Sequence, residues 1–161
     1  MSVDIRLRWS LFATLACGAL LLPRTAGADF SQITVSGDCK GISFVSEKTG
    51  YSFTQDVFMK VFIDKTTDGL TFKNVPLTGI PSALYKGMKF VNENTGFITA
   101  VNSPAAQCVY KTSDGGKTWA ARSCGTGALR PYGMSWASTK VGAIVGILDL
   151  SKPYVGITTD G

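Results

Sequence analysis

Hydrophobic and polar residues alternate along most of this chain in short runs with period two. Ile42-Ser43-Phe44-Val45 and Tyr51-Ser52-Phe53-Thr54 are two such runs, and the polar segment Glu47–Gly50 between them reads as a turn. Phe58 to Ile63 is expected to form a third strand, and a fourth is expected at Phe72. No segment carries a convincing helical period. The pattern predicts an all-β protein.

The pattern also repeats. Gly50, Gly96 and Gly142 lie 46 residues apart, as do the pairs Gly41-Ile42, Gly87-Met88 and Gly133-Met134. The aromatic residues Phe44, Phe90 and Trp136 keep the same spacing. So do Asp68, Asp114 and Asp160. Strand-rich repeats of about 40–50 residues are the signature of propeller blades, each a small antiparallel sheet of four strands. Blades are expected over about 41–86, 87–132 and 133–161, the third of them incomplete. A closed ring takes about 4–8 blades, so the chain reads as a propeller segment with missing blades or self-association expected. Phe44, Phe53, Trp136, Ile144 and Ile147 are expected near surface that another blade would cover.

The aspartates sit in the most distinctive stretch. Thr112 to Trp119 reads T-S-D-G-G-K-T-W, and Asp-Gly and Gly-Gly favour a tight turn because glycine reaches positive φ freely. The first copy, Thr66-Thr67-Asp68-Gly69-Leu70-Thr71-Phe72, is one residue shorter, which predicts a tighter and less regular turn. The third copy, beginning at Thr158 and Asp160, stops at Gly161. These segments resemble the Asp-box, S/T-x-D-x-G-x-T-W, of the sialidase, sortilin and photosystem II assembly-factor propellers. Thr112, Asp114, Gly116, Thr118 and Trp119 match all of its fixed positions. With the stretch M-K-F-V-N-E-N-T-G-F-I-T-A-V before it, the repeat is most similar to the photosystem II assembly-factor type. That resemblance implies a β-propeller acting as a lumenal binding scaffold without catalysis.

Within the motif, the aspartate is read as structural: its carboxylate folds back onto amides of its own turn, and the following aromatic anchors the hairpin. A calcium or sugar role is disfavoured, since one carboxylate per turn is a poor hard-cation site. No metal or cofactor is expected.

Residues 1–28 read as a secretory signal peptide: Arg6 and Arg8, then an uncharged stretch from Trp9 to Leu22, then small residues at Ala26-Gly27-Ala28. Fourteen residues are too few to span about 30 Å of hydrocarbon as a helix, so no stable membrane span is expected after cleavage. Lipid attachment at Cys17 is the weaker alternative. The mature protein would start at Asp29, secreted to an extracellular or lumenal space, with its repeats over 29–161. Losing the leader lowers the formal net charge from +5 to +3. No basic run or arginine–aromatic stripe remains, which argues against a nucleic-acid partner. In an oxidising compartment Cys108 and Cys124, which flank the Asp114 turn, are a plausible cross-strand disulfide. Closing such a loop is worth about 3 kcal/mol in the chain-entropy picture. Buried thiols are the alternative, and Cys39 is left over.

Catalytic options are narrow. The chain has no histidine, which removes Ser-His-Asp and Cys-His sites and the common His-based zinc sites. A sialidase resemblance would bring an arginine triad, and the mature chain offers only Arg122 and Arg130. Two facing carboxylates would serve another glycosidase type; Glu47, Asp56, Asp64, Glu93 and Asp149 are the candidates, each more simply read as a solvated surface charge. The expected function is therefore an exported, non-catalytic binding or scaffold module for a protein or glycan. The alternative is a fragment of an Asp-box glycoside hydrolase whose catalytic residues lie outside this chain. Connections and inter-strand loops are the expected binding regions.

Overall fold

A computed structural model describes residues 37–101, 107–123, 129–149 and 151–161. They form eleven strands in three antiparallel sheets, with no helix among the described residues. The first sheet holds β1 (Asp38–Phe44), β2 (Gly50–Gln55), β3 (Val61–Thr66) and β4 (Lys73–Asn74), in that order. The second repeats it with β5 (Leu84–Phe90), β6 (Gly96–Val101), β7 (Gln107–Thr112) and β8 (Ala120–Ser123). The third has β9 (Leu129–Trp136), β10 (Gly142–Leu148) and β11 (Lys152–Thr158), with no fourth strand among the described residues. The architecture is that of propeller blades, the third incomplete.

The 46-residue period has a physical cause at each repeated position. In every blade the aromatic that ends the inner strand pairs with a glycine, and that glycine pairs with the turn threonine. The registers are Phe44↔Gly50↔Thr66, Phe90↔Gly96↔Thr112 and Trp136↔Gly142↔Thr158. The ring lies across the glycine: a Cβ on Gly50 or Gly96 would sit 2.8 Å from the ring of Phe44 or Phe90, and one on Gly142 would collide with the indole of Trp136. The same ring then reaches back to the preceding blade. Phe90 stacks on Tyr51 at 3.6 Å and Trp136 stacks on Phe97 at 3.4 Å, both nearly parallel. One aromatic per blade thus fills the space above its own glycine and seals the joint behind it.

A lysine completes each joint. Lys65, opposite Tyr51, lies over that ring and reaches Glu93 on the next blade at 4.0 Å. Lys111, opposite Phe97, lies over that ring and donates to Thr139 O of the next blade at 3.2 Å. The inner strands β1 and β5 also meet closely: a Cβ on Gly41 would stand 3.3 Å from the backbone nitrogen of Met88. Two apolar clusters result. One, around Tyr51, Phe53, Ile63, Tyr85 and Phe90, lies between the first two blades. The other, around Phe97, Val109, Leu129 and Ile144, lies between the second and third.

Two expectations are corrected. The third strand starts at Val61 rather than Phe58, because Phe58 to Lys60 belong to a turn. Asp56 Oδ1 accepts from the N–H of Phe58 (2.9 Å) and Lys60 (2.8 Å), and Met59 sits at φ 64°. Phe53 and Ile144 are buried rather than near open surface, since the pleat turns both toward the second blade. Phe44 is the open-side aromatic, 44% exposed, and Val145, Val155 and Ile157 are among the exposed apolar residues of the third blade.

Candidate functional site

The three aspartate turns share one construction. Thr66 Oγ1 donates to Asp68 Oδ1 (2.9 Å) and accepts from the Gly69 N–H (3.0 Å). Thr112 Oγ1 donates to Asp114 Oδ1 (2.9 Å) and accepts from the Gly116 N–H (3.0 Å). Thr158 Oγ1 donates to Asp160 Oδ1 (2.7 Å) and accepts from the Gly161 N–H (3.2 Å). Each carboxylate in the two complete turns then gathers amides from the residues ahead. Asp68 Oδ1 accepts from Leu70 (2.8 Å) and Thr71 (2.7 Å). Asp114 Oδ1 accepts from Lys117 (3.1 Å) and Thr118 (2.9 Å), and its Oδ2 from the Thr118 hydroxyl (2.6 Å).

Glycine is needed after the aspartate because the turn folds onto the connection between the first two strands of its own blade, β1–β2 or β5–β6. A Cβ on Gly69 would lie 2.9 Å from Glu47 O, and one on Gly115 3.2 Å from Glu93 O, both at φ above 70°. The shorter first turn uses one positive-φ glycine, Gly69, where the second uses Gly115 and Gly116. The difference reaches the aromatic. Trp119 is buried, donates from Nε1 to Gly116 O (2.8 Å) and meets Phe90 edge-on at 6.1 Å. Phe72 is only half-buried against Phe44 at 6.3 Å, and it leads into a two-residue outer strand.

The electrostatics follow the hydrogen bonds. For Asp114 burial acts upward, but the Thr118 hydroxyl and N–H, the Thr112 hydroxyl and the Lys117 N–H together hold the carboxyl down to about 2. The backbone N–H groups of Thr71 and Leu70, then the Thr66 hydroxyl, hold Asp68 well below the usual carboxylate range. These carboxylates are ionised and committed to their own backbone. Among the described residues no group of three His, Cys, Asp or Glu side chains could hold a metal ion.

The other acidic candidates are dispersed. Glu93 accepts from the Thr49 hydroxyl at 3.2 Å, near the aspartate-turn end. Asp56 caps the β2–β3 turn at the opposite end. Asp64 lies mid-strand and accepts from Ser52 (3.4 Å) and Asn74 (3.2 Å). Glu47 is exposed beside the first turn, and Asp149 stands at φ 49° after β10. Cys108 is buried on β7 and Cys39 is exposed and free; Cys124 lies outside the described residues, as do residues 1–36 with the predicted leader.

The accessible surface lies at the opposite end, in a feature missed by the sequence pattern. Gln55 pairs with Val61 there, while Gly50 pairs with Thr66 at the aspartate-turn end. The β2–β3 turn lifts Val57 and Phe58 into solvent, 88% and 84% exposed. Beside it runs a cavity of about 500 Å³ lined by Phe58, Met59, Lys60, Leu77, Ile80 and Pro81 among others. Gln55 Nε2 ties its two walls, donating to Met59 O (3.2 Å) and Ala83 O (2.7 Å). Tyr85 OH fixes the far wall through Pro81 O at 2.6 Å. Gly79, at φ 85°, lets the 75–83 connection run against Trp119, whose carbonyl a Cβ would strike. The arrangement offers apolar contact area beside a wall held by these hydrogen bonds.

No protein-family model matches the sequence, and no curated protein matches it. The fold does have solved counterparts. The chain is similar to YCF48 from Cyanidioschyzon merolae, with TM-score 0.54 and 15% identity over 85% of this chain and 43% of that one. It is also similar to a YCF48 described as bound to D1 peptide, with TM-score 0.55 and 18% identity over 78% of this chain and 38% of that one. At this identity the likeness carries the propeller fold alone, and the chain spans less than half the length of these counterparts. Among the described residues no helix is long and apolar enough to cross a membrane.

Proposed function

We propose that this chain is an exported, non-catalytic propeller module of the Asp-box type that binds a protein partner through the end opposite its aspartate turns. One observation carries the reading: Val57 and Phe58 stand almost fully exposed on a turn held by Asp56, beside a rigid apolar groove. Large apolar side chains held out by a fixed turn gain nothing for the isolated fold. They suit a partner that buries them. A structural counterpart described as bound to a peptide supports the choice of a protein over a glycan.

A displayed peptide library panned against the full mature chain tests this. Binders should be lost when Val57→Ser and Phe58→Ser are combined, with melting unchanged. Binders that survive the double change place the site elsewhere, and enrichment only on a glycan array would favour sugar. Export is tested by sequencing secreted protein, which should begin at Asp29. A start at Cys17, or retention of residues 1–28, would refute that cleavage.

A further inference from the structure

The inner strand of every blade carries a bulge at the same place. Pairing passes from Cys39 to Gly41, from Tyr85 to Gly87 and from Pro131 to Gly133, so Lys40, Lys86 and Tyr132 are each left out of the ladder. A bulge re-aims the side chain it leaves unpaired. Lys86 is exposed and Tyr132 is 62% exposed, while Lys40 is half-buried in an ion pair with Asp38. Lys89, further along β5, is exposed as well, and half-buried Arg130 stands just ahead of the third bulge.

These cations are isolated in the sequence, and the fold gathers them. The inner strands lie side by side. Ser43 Oγ on β1 accepts from the Phe90 N–H of β5 at 3.0 Å, and a Cβ on Gly87 of β5 would stand 3.9 Å from the Met134 methyl of β9. Together they hold Lys40, Lys86, Lys89 and Arg130 against Asp38 alone. They therefore carry the whole net charge of +3 of residues 29–161, and the other positions balance to zero. Among the described residues no ion pair engages Lys86, Lys89 or Arg130. Like charges on adjacent strands repel, and an anionic partner would relieve them.

The bulges also stand toward a particular end. Asp38 pairs with Gln55 and Gln55 with Val61, so the inner strands start at the end that bears the exposed Val57 and Phe58. Ile80 and Pro81 of the apolar groove lead within a few residues into β5 and Lys86. Nucleic acid would answer the charges but has no side chain for the groove; a polypeptide can answer both.

We propose that the inner strands form a cationic surface for an extended acidic segment of a partner protein, whose carboxylates lie on Lys86, Lys89 and Arg130 while an apolar side chain of the same segment enters the groove. This rests on the reading of that end as the binding end and adds the chemistry of its occupant. The phenol of Tyr132 gives the segment a hydrogen-bond donor beside the cations.

The test measures binding of two labelled peptides to the full mature chain: one alternating glutamate with leucine and phenylalanine, and its glutamine twin. The glutamate peptide should bind about tenfold more tightly, and the difference should vanish toward about 1 M salt. Lys86→Gln combined with Arg130→Gln should remove that preference without lowering the melting temperature. Lys48→Gln combined with Lys117→Gln makes the same change in charge at the aspartate-turn end and should leave the preference intact. Equal binding of the two peptides would overturn the proposal, as would equal losses in the two double variants, which would reduce the effect to net charge. Tighter binding of single-stranded DNA than of the glutamate peptide would give the surface to another polyanion and overturn it too. Val57→Ser with Phe58→Ser should weaken both peptides alike. A preference that depends on Lys86 and Arg130 while both peptides ignore Val57 and Phe58 would uphold the cationic surface and remove the apolar reading alone.

Discussion

Thr112 is fully buried, whereas Asp114 is half-buried and the amides it binds at Lys117 and Thr118 are exposed. Water can replace part of what Asp114 provides, so Asp114→Ala should cost about 1 kcal/mol. Thr112→Val leaves the buried N–H of Gly116 without its acceptor and should cost about 1–3 kcal/mol. Urea melts of the two variants check the order; an Asp114→Ala chain with normal melting but lost partner binding would make the aspartate a site after all. The pH dependence has a definite sign. The Asp114 carboxyl lies at about 2 in the folded protein against an ordinary 3.8, so its stabilisation is complete above about pH 4 and is lost as pH falls through about 2. Melting temperatures of wild type and Asp114→Ala should therefore differ at pH 7 and converge toward pH 2.

Each blade joint rests on one ring lying between a glycine of its own blade and a ring of the blade behind. Gly96→Ala would place a Cβ 2.8 Å from the Phe90 ring, which stacks on Tyr51 on its far side and cannot retreat without opening the joint. The expected cost is about 1–3 kcal/mol, from overpacking. Gly142→Ala meets Trp136 still more tightly, yet that indole borders a cavity into which it can shift, so the penalty should be smaller than the contact suggests. Thermal denaturation of the two variants reads the difference directly. The predicted Cys108–Cys124 bridge belongs to this scale too. Non-reducing peptide mapping should recover the two as a pair, with Cys39 free; a bond from Cys39 to either would reject the pairing.

Across the molecule, the joint chemistry is uneven. The first two blades present a ring and a lysine to the blade ahead, as Tyr51 with Lys65 and Phe97 with Lys111. The third presents Ala143 opposite Ile157, flanked by exposed Val145 and Val155. That face is aliphatic and open, and apolar surface of this kind favours association. Residues 29–161 alone should sediment as a concentration-dependent mixture, or melt with poor cooperativity. A compact monomer with a sharp two-state transition would show that the open faces are covered in another way. Val145→Lys together with Ile157→Lys should shift the mixture toward monomer without lowering the melting temperature.

The propeller class was legible in the sequence because its repeated residues answer local demands that spacing alone reveals. A strand that ends in a ring needs a glycine opposite it, and a turn that folds onto a carbonyl needs glycine after its aspartate; both recur every 46 residues. The threonine–aspartate turns were legible for the same reason, since each makes its bonds within a few residues of itself. The exposed apolar turn at the opposite end was not. Phe58 has the composition of a strand, and only the capture of two amides by Asp56 turns it out into solvent. Nor does alternation say which neighbour a strand face meets: Phe53 and Ile144 lie inside joints, while Val155 and Ile157 face outward. Period two assigns residues to faces, but the stacking order of the blades decides which faces are covered, and that order is a property of tertiary packing.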